Sequence, residues 1–537
     1  MSVLTLSTPA AAQSPLDRVQ PDGHVPAEAE APARSAPPTI EVEAQPEENR
    51  AGDQKILVGA VTLKGLEVLQ PADFAAVITP RLGQVIDDAG LRALAGAIAR
   101  QAQSRGFPFA TAWIEPQHLS SGVLTVRVDE GRVDEVRLDG PDEPAVRAAL
   151  APLVTGAPVR LGDVERRLLL AGDIDGIRIR NTRYLREDGR GILVVQLSKD
   201  SLAGSIALSN EGTKPLGPAQ IRIEADVNGL LSNDDSIILT YTGTPLDPQE
   251  LNFGYARYAK RVSANGTELT LTGTYSEARP GAYLSDLDLR SRSWYVAAGV
   301  LQPLWRRRSA SLWFEGELGL RDLHQWEGDA LVRADRLAVL RATLYGYADF
   351  AGGRLRGSVT VSQGLGILGA TQTGDPLASR FDADGTFTTL YAWSDWTRSL
   401  GGRFSVRLAA QGQLASQPLL ITEETSLGGT AFLRGYDWSE RTGDEGIAGT
   451  AELRYDWKQP FHLFPSAQFY GFIDGGEVSN LGSDFGSGSL ASTGGGVRAD
   501  LGNSVGASVE VAVPLTGPRY DTGDETPKIN LRVGKSF

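Results

Sequence analysis

The 537-residue chain contains no cysteine, so neither a disulfide framework nor a thiolate metal site holds it together. Methionine occurs once, and the four histidines, His24, His118, His324 and His462, are scattered without paired ligand spacing. That leaves a metal cofactor without candidate ligands. Positive charge is short: 52 Lys and Arg face 66 Asp and Glu, for a net charge of −14, which argues against nucleic acid as the main partner. No run of about 18 apolar residues exists, so no helix crosses a bilayer. A transmembrane β-barrel stays open, because its apolar face occupies every second residue and its mean hydropathy, −0.17 here, looks soluble. Catalytic signatures are missing too: there is no serine nucleophile elbow and no ATP site. Gly364-Leu-Gly366-Ile-Leu-Gly369 matches G-x-G-x-x-G, but Ala-Thr-Gln-Thr-Gly-Asp-Pro follows instead of a helix, so a dinucleotide fold fails its context test. The composition reads as a non-enzyme with no cofactor.

What is present is organisation. Thr8-Pro9-Ala10-Ala11-Ala12-Gln13 has the small residues of a signal-peptide cleavage site, and residues 1–12 are read as the remnant of such a signal. Residues 13–54, rich in Pro, Ala and Glu, read as a disordered linker. From Ile56 the pattern changes. A strand through Val58, Val61 and Leu63 leads into two helical patterns, Pro71 to Ile78 and Asp87 to Arg105. The second puts Leu91, Leu94, Ala95 and Ile98 on one face and stops at Gly106. Strands at Ala110 to Glu115 and Val123 to Val128 complete a β-α-α-β-β unit over 55–130. The order then repeats over 131–200: Val133 to Leu138, helices at Glu143 to Leu150 and Leu161 to Ala171, and strands at Ile177 to Arg186 and Gly191 to Ser198. Two tandem copies of one α+β unit are predicted.

Beyond Gly204 the helical period vanishes. Alternating segments such as Leu269/Leu271/Gly273/Tyr275 and Val505/Ala507/Val509/Val511/Val513 follow one another, separated by turn signals such as Asn265-Gly266 and Asp384-Gly385. About sixteen strands fit, each with room for the 9–11 residues of a tilted membrane strand. Arg222, Glu224, Asp226 and Arg407 lie opposite the apolar face, as a wet lumen requires. Trp294, Tyr295, Trp305, Trp313, Phe314, Tyr345, Tyr347, Trp393 and Trp396 fall near strand ends, and are read as interfacial girdles. The chain stops on a strand ending in Phe537, which suits closure of the last strand on the first. The fold class predicted is α+β repeats followed by an all-β, 16-stranded antiparallel transmembrane barrel over 201–537.

One loop-like stretch, about 415–446, carries Leu433-Arg434-Gly435-Tyr436, and a later strand carries Phe472-Ile473-Asp474-Gly475-Gly476. An arginine in a loop and an aspartate on a wall form a charge-assisted pair that pins the loop.

Repeats, barrel, terminal phenylalanine and Arg-Gly-Tyr loop together resemble the outer-membrane superfamily that joins POTRA domains to a barrel. Within it the chain looks like the two-partner-secretion transporters (TpsB type), the haemolysin and filamentous haemagglutinin exporters. Glu165 to Ile177, Leu208-Ser-Asn-Glu-Gly212, and Gly443-Asp444-Glu-Gly446 with Glu452-Leu453-Arg454 carry the narrower likeness. The resemblance implies two periplasmic POTRA domains and an inward-folding loop with Arg434 at its tip. It implies an inner-wall motif at Phe472, Asp474 and Gly476, and an assembly signal in the last strand at Phe537. It further implies a Gram-negative outer membrane and its lipid as surroundings, the barrel assembly machinery as a partner in biogenesis, and a large secreted exoprotein (TpsA-like) as cargo. That cargo is expected to be recognised through the POTRA domains, by strand addition near Ile114 or Arg178 to Arg180. Family members often carry a pore-plugging N-terminal helix; residues 13–50 show no amphipathic one. An assembly factor that inserts other barrels, or a diffusion porin, are the alternatives.

Overall fold

The computed structural model describes residues 40–42, 56–115, 117, 122–482 and 486–537. The segment read as a signal remnant lies outside them, as does most of the stretch read as linker.

The first α+β unit contains strands β1 (Ala60–Lys64), β2 (Thr111–Trp113) and β3 (Val123–Asp129) with helices α1 (Ala75–Ile78) and α2 (Asp88–Ser104). β3 lies between β1, to which it runs parallel, and β2, to which it runs antiparallel. Asp87 caps α2 by accepting from the Gly90 amide at 2.8 Å, and Gly106, at φ +96°, ends it in the left-handed region. The predicted face, Leu91, Leu94, Ala95 and Ile98, is buried against Leu124, Val126 and Val128 of the sheet.

The second unit has strands β4 (Glu135–Asp139), β5 (Ile177–Glu187) and β6 (Arg190–Lys199) and helices α3 (Pro144–Leu150) and α4 (Leu161–Gly172). Phe109 of the first unit stacks on Tyr184 at 3.9 Å between ring centroids, so the two units share apolar packing. Burial pushes the Tyr184 hydroxyl up to about 12, and it donates to the Arg132 carbonyl at 2.8 Å. Within the stretch read as linker, Ile40–Val42 forms a strand that pairs parallel with Thr182–Tyr184 on the outer edge of β5.

Two residues after β6 the chain enters a closed barrel of sixteen antiparallel strands, from Leu202–Ser209 to Lys528–Ser536. Alternation sorts the side chains. On the fifth strand (Glu268–Ala278), Leu269, Leu271 and Tyr275 are exposed, whereas Thr270 and Ser276 are buried on the inner face. Closure comes from pairing of the last strand with the first, Ser205–Ser536 to Ser209–Arg532. That ladder is only five pairs long. The Asn210 side chain extends it, accepting from the Leu531 amide at 2.6 Å and donating to the Ile529 carbonyl at 2.8 Å.

The aromatic reading needs one correction. Trp294 and Trp305 are exposed on the outer face, but Tyr295, Trp313, Tyr345 and Trp393 point inward. The register pairs Tyr295 with Arg321, Trp313 with Tyr345 and Trp393 with Gln411 on the lumen side. A strand shifted by one residue turns to the opposite face, so proximity to a strand end does not distinguish a girdle from a lumen wall.

The second unit docks beneath the barrel through α4. Arg306, at the end of the sixth strand (Leu289–Arg306), donates to both oxygens of Asp173, at 2.8 and 2.5 Å. Arg261 donates to the Leu170 carbonyl at 2.6 Å, and Arg167 reaches Asn265 Oδ1 at 3.0 Å. The turns after the second, fourth and sixth strands therefore form the end of the barrel that faces the α+β units, and the long loop leaves from the other end.

Candidate functional site: an arginine-tipped loop inside the barrel

Between the eleventh strand (Phe404–Ala415) and the twelfth (Glu445–Lys458) the chain folds back into the barrel. A small hairpin, Thr425–Leu427 with Arg441–Gly443, forms its neck, and residues 428–440 form the tip. Gly428 and Gly429 adopt φ near +105°, while Leu433 sits at φ +59° without a glycine's freedom. Such conformations persist where the surroundings enforce them. Here Leu433 is fully buried among Ala409, Leu427, Tyr436, Ala448 and Val478.

Arg434, 2% exposed, is gripped from several strands. Its Nε and Nη2 donate to the two oxygens of Asp474 at 3.1 and 3.0 Å, and its backbone N–H donates to Asp474 Oδ2 at 3.0 Å. Nη1 meets Glu452 at 2.9 Å and Glu510 at 3.3 Å, and Nη2 reaches Thr450 Oγ1 at 3.0 Å. The guanidinium also lies over the Phe472 ring, 3.4 Å from its centroid. A buried charge is tolerable only when paired and hydrogen-bonded, and this one is saturated. Its carboxylates have second partners: Glu452 accepts from Arg454 and Arg498, Glu510 from Tyr470 and Asn530, and Asp474 from Ser492.

The other motif residues fit the same seat. A Cβ on Gly435 would lie 2.8 Å from the Pro514 nitrogen, so only glycine lets the tip approach the wall this closely. Tyr436 is fully buried, its hydroxyl accepting from the Thr516 amide at 3.0 Å. Gly476 is crowded by the Ile447 carbonyl and Leu427. Phe537 stands apart: its ring is exposed and its backbone exchanges two hydrogen bonds of 3.0 Å with Gly204 at the seam. The structure thus brings Leu433 to Tyr436 together with Phe472, Asp474 and Gly476.

Sequence reasoning missed Thr450, Glu452, Ser492 and Glu510 as parts of the seat. In the sequence Glu452 stands out only within the Glu452-Leu453-Arg454 segment that follows the loop. The signal for it is register: Glu452 pairs with Phe472 and Thr450 with Asp474, so all four share the inner face.

A closed barrel with an apolar outside and a charged inside, docked on α+β units and holding an arginine-tipped loop against a wall aspartate, defines an outer-membrane barrel of the POTRA-bearing class. Comparison with known proteins makes this specific. The family model "Haemolysin secretion/activation protein ShlB/FhaC/HecB" matches residues 190–499, and the ShlB-type POTRA domain model matches residues 56–131. The chain belongs to this family of two-partner-secretion (TpsB) outer-membrane transporters, whose POTRA domains lie in the periplasm. It is similar to the outer membrane transporter CdiB of Escherichia coli, 25% identical across 100% of this chain and 93% of that protein. It is also similar to CdiB of Dickeya dadantii, 22% identical over 81% and 78%. The solved structure of CdiB from Escherichia coli superposes with a TM-score of 0.71 at 21% identity, covering 92% of this chain and 93% of that one.

Proposed function

We propose that this chain exports one large, adhesin- or haemolysin-like exoprotein across the outer membrane, taking it from the POTRA domains through the barrel. The observation that carries the mechanism is the seating of Arg434. A loop bolted to the lumen wall by a bidentate ion pair and two further carboxylates acts as a latch on a conduit. Phe537 is the terminal-strand signal by which the barrel assembly machinery seats the last strand beside the first.

The periplasmic units supply extended edges for recognition by strand addition. β2, next to Ile114, is an edge of its sheet. The β5 edge, which includes Arg178 to Arg180, carries Ile40–Val42 along Thr182–Tyr184. A substrate strand added there displaces the chain's own segment.

One observation favours a second reading: the short first-to-last seam suits a barrel that opens sideways to insert other barrels. Deleting the protein and fractionating the cells separates the two. Loss of one large exoprotein from surface and medium, with other barrels intact, is expected; a general loss of outer-membrane barrels would overturn export in favour of assembly.

A further inference from the structure

On the side of the α+β units, the rim of the barrel carries two arginines that the fold leaves without counter-charge. The eighth strand (Ala330–Phe350) and the ninth (Gly353–Gly364) meet there in a tight turn, as do the tenth (Thr388–Gly401) and the eleventh. Arg398 and Arg403 flank the second turn. The register sets Trp396 beside Leu408 and Arg398 beside Val406. Leu408 is exposed on the outer face, and Arg398, two residues beyond Trp396, shares that face. A Cβ added to Gly352 would sit 3.4 Å from Arg398 Nε, so this side chain lies along the first turn. Trp396 ties the two turns together, its Nε1 donating to the Phe350 carbonyl at 2.9 Å. Arg403 donates to the Tyr455 hydroxyl at 3.4 Å, beside the outer-face pair of Phe404 and Tyr455 rings.

Neither arginine has a carboxylate partner among the described residues. The ninth and eleventh strands contain no acidic residue. Asp395, the one acid of the tenth, faces the lumen and is held by Arg407 at 2.5 Å. Asp349 is taken by Arg354 at 2.6 Å, and Asp456 shares the inner face with Glu452. In a chain of net charge −14, two unpaired cations on one outer patch are out of keeping with the whole. Apolar side chains surround them: Phe350 is 62% exposed, Leu400 56% and Phe404 47%. Aromatic rings, aliphatic side chains and snorkelling arginines belong together where hydrocarbon meets headgroups. The POTRA domains lie in the periplasm, so this rim stands in the periplasmic leaflet.

We propose that Arg398 and Arg403 bind the phosphate of an anionic phospholipid in that leaflet, with its acyl chains lying over Phe404 and Leu408. Two fixed cations across one turn favour a headgroup of net negative charge over a zwitterionic one. The surface is distinct from the latch, and its test needs no exported protein.

Because the chain has no cysteine, Leu408→Cys in the full-length protein takes a single bimane label. The labelled protein is reconstituted in phosphatidylcholine vesicles, and acyl-brominated phosphatidylglycerol or phosphatidylcholine is titrated in as the quencher. Phosphatidylglycerol binds at this site about five- to tenfold more tightly at low salt, and the preference shrinks as salt is raised. The comparison site is Leu271→Cys, in the same leaflet on the fifth strand. There Lys260 and Arg261 already pair with Asp234 and Glu268, at 3.5 and 3.0 Å, and the two lipids quench alike. Arg398→Gln with Arg403→Gln brings Leu408 to the Leu271 ratio, while the double lysine variant keeps most of the preference. The heat-modifiable gel band shows each barrel assembled. A preference that survives the double glutamine variant, or one equally strong at Leu271, would overturn the proposal. Equal quenching by both lipids at Leu408 would also overturn it, and would leave the arginines to an acidic polypeptide.

Discussion

Replacing Arg434 with alanine is the most informative perturbation of the latch. The substitution removes the cation from a seat containing Asp474, Glu452 and Glu510. Two of the three carboxylates retain support. Glu452 keeps Arg454 at 2.6 Å and Arg498 at 3.0 Å, and Glu510 keeps the Tyr470 hydroxyl at 3.0 Å. Asp474 keeps only the Ser492 hydroxyl at 3.2 Å and, while the tip stays docked, the residue-434 amide. The cost therefore falls mainly on Asp474, the typical case of a buried pair broken on one side, about 3–5 kcal/mol. At about 1.4 kcal/mol per tenfold, the docked-to-undocked ratio of the tip falls by about a hundredfold to several thousandfold. Proteolysis of intact cells reads this directly: cleavage within residues 428–440 accelerates by that order in Arg434→Ala, while the heat-modifiable band shows the barrel assembled. Secretion is abolished or severely reduced. Arg434→Asp with Asp474→Arg restores part of the protection, and Arg434→Lys loses less than alanine because the charge stays but the fork does not. Cleavage of Arg434→Ala at the wild-type rate would refute the claim that this arginine holds the tip.

Further consequences are open to measurement. Gly435→Ala places a Cβ 2.8 Å from backbone atoms of Val513 and Pro514, so the tip lifts at a cost of about 1–3 kcal/mol, read by the same cleavage assay. Asn210→Ala removes two hydrogen bonds from a five-pair seam; at about 1 kcal/mol each, the unfolding temperature of the heat-modifiable band falls. Arg306→Ala leaves Asp173 buried without its ion-pair partner and loosens the second unit, which the Arg261 and Arg167 contacts still hold; spin-label distances between α4 and the turn at 262–267 detect this as a broadened distribution. Tyr184 ionises near 10 in an unfolded chain but at about 12 here. The folded state therefore holds the proton more tightly, and stability falls as pH rises from 10 through 12. Tyr184→Phe flattens that fall, seen as a smaller change in unfolding midpoint across the window.

The sequence was legible where a single period carries the information. The two-residue alternation of Leu269/Leu271/Gly273/Tyr275 needs no partner to be recognised, and the about sixteen strands read from such segments agree with the sixteen of the closed barrel. The face of α2 declared itself through Leu91, Leu94, Ala95 and Ile98 for the same reason. Arg434 and Asp474 stood out because glycines and aromatics isolate them. What stayed hidden depends on register between strands distant in sequence. Glu510 joins the seat across 76 residues, and Arg306 finds Asp173 across 133. Neither partnership leaves a local trace. Trp313 and Tyr345 read as membrane-surface residues in the sequence because spacing along one strand does not say which face is wet, whereas the register pairs them on the inner face. Ile40–Val42 lacks the length and alternation of a strand, and only the open edge of β5 makes it one.

This chain is proposed to pass one partner protein through its barrel. Reconstitution into liposomes with the α+β units outward tests it most directly. The exoprotein lost on deletion is added unfolded, and protease follows. Wild-type vesicles should protect the exoprotein without ATP, while vesicles carrying Arg434→Ala should protect far less. Equal protection by empty vesicles, or none by the wild type, would contradict the account.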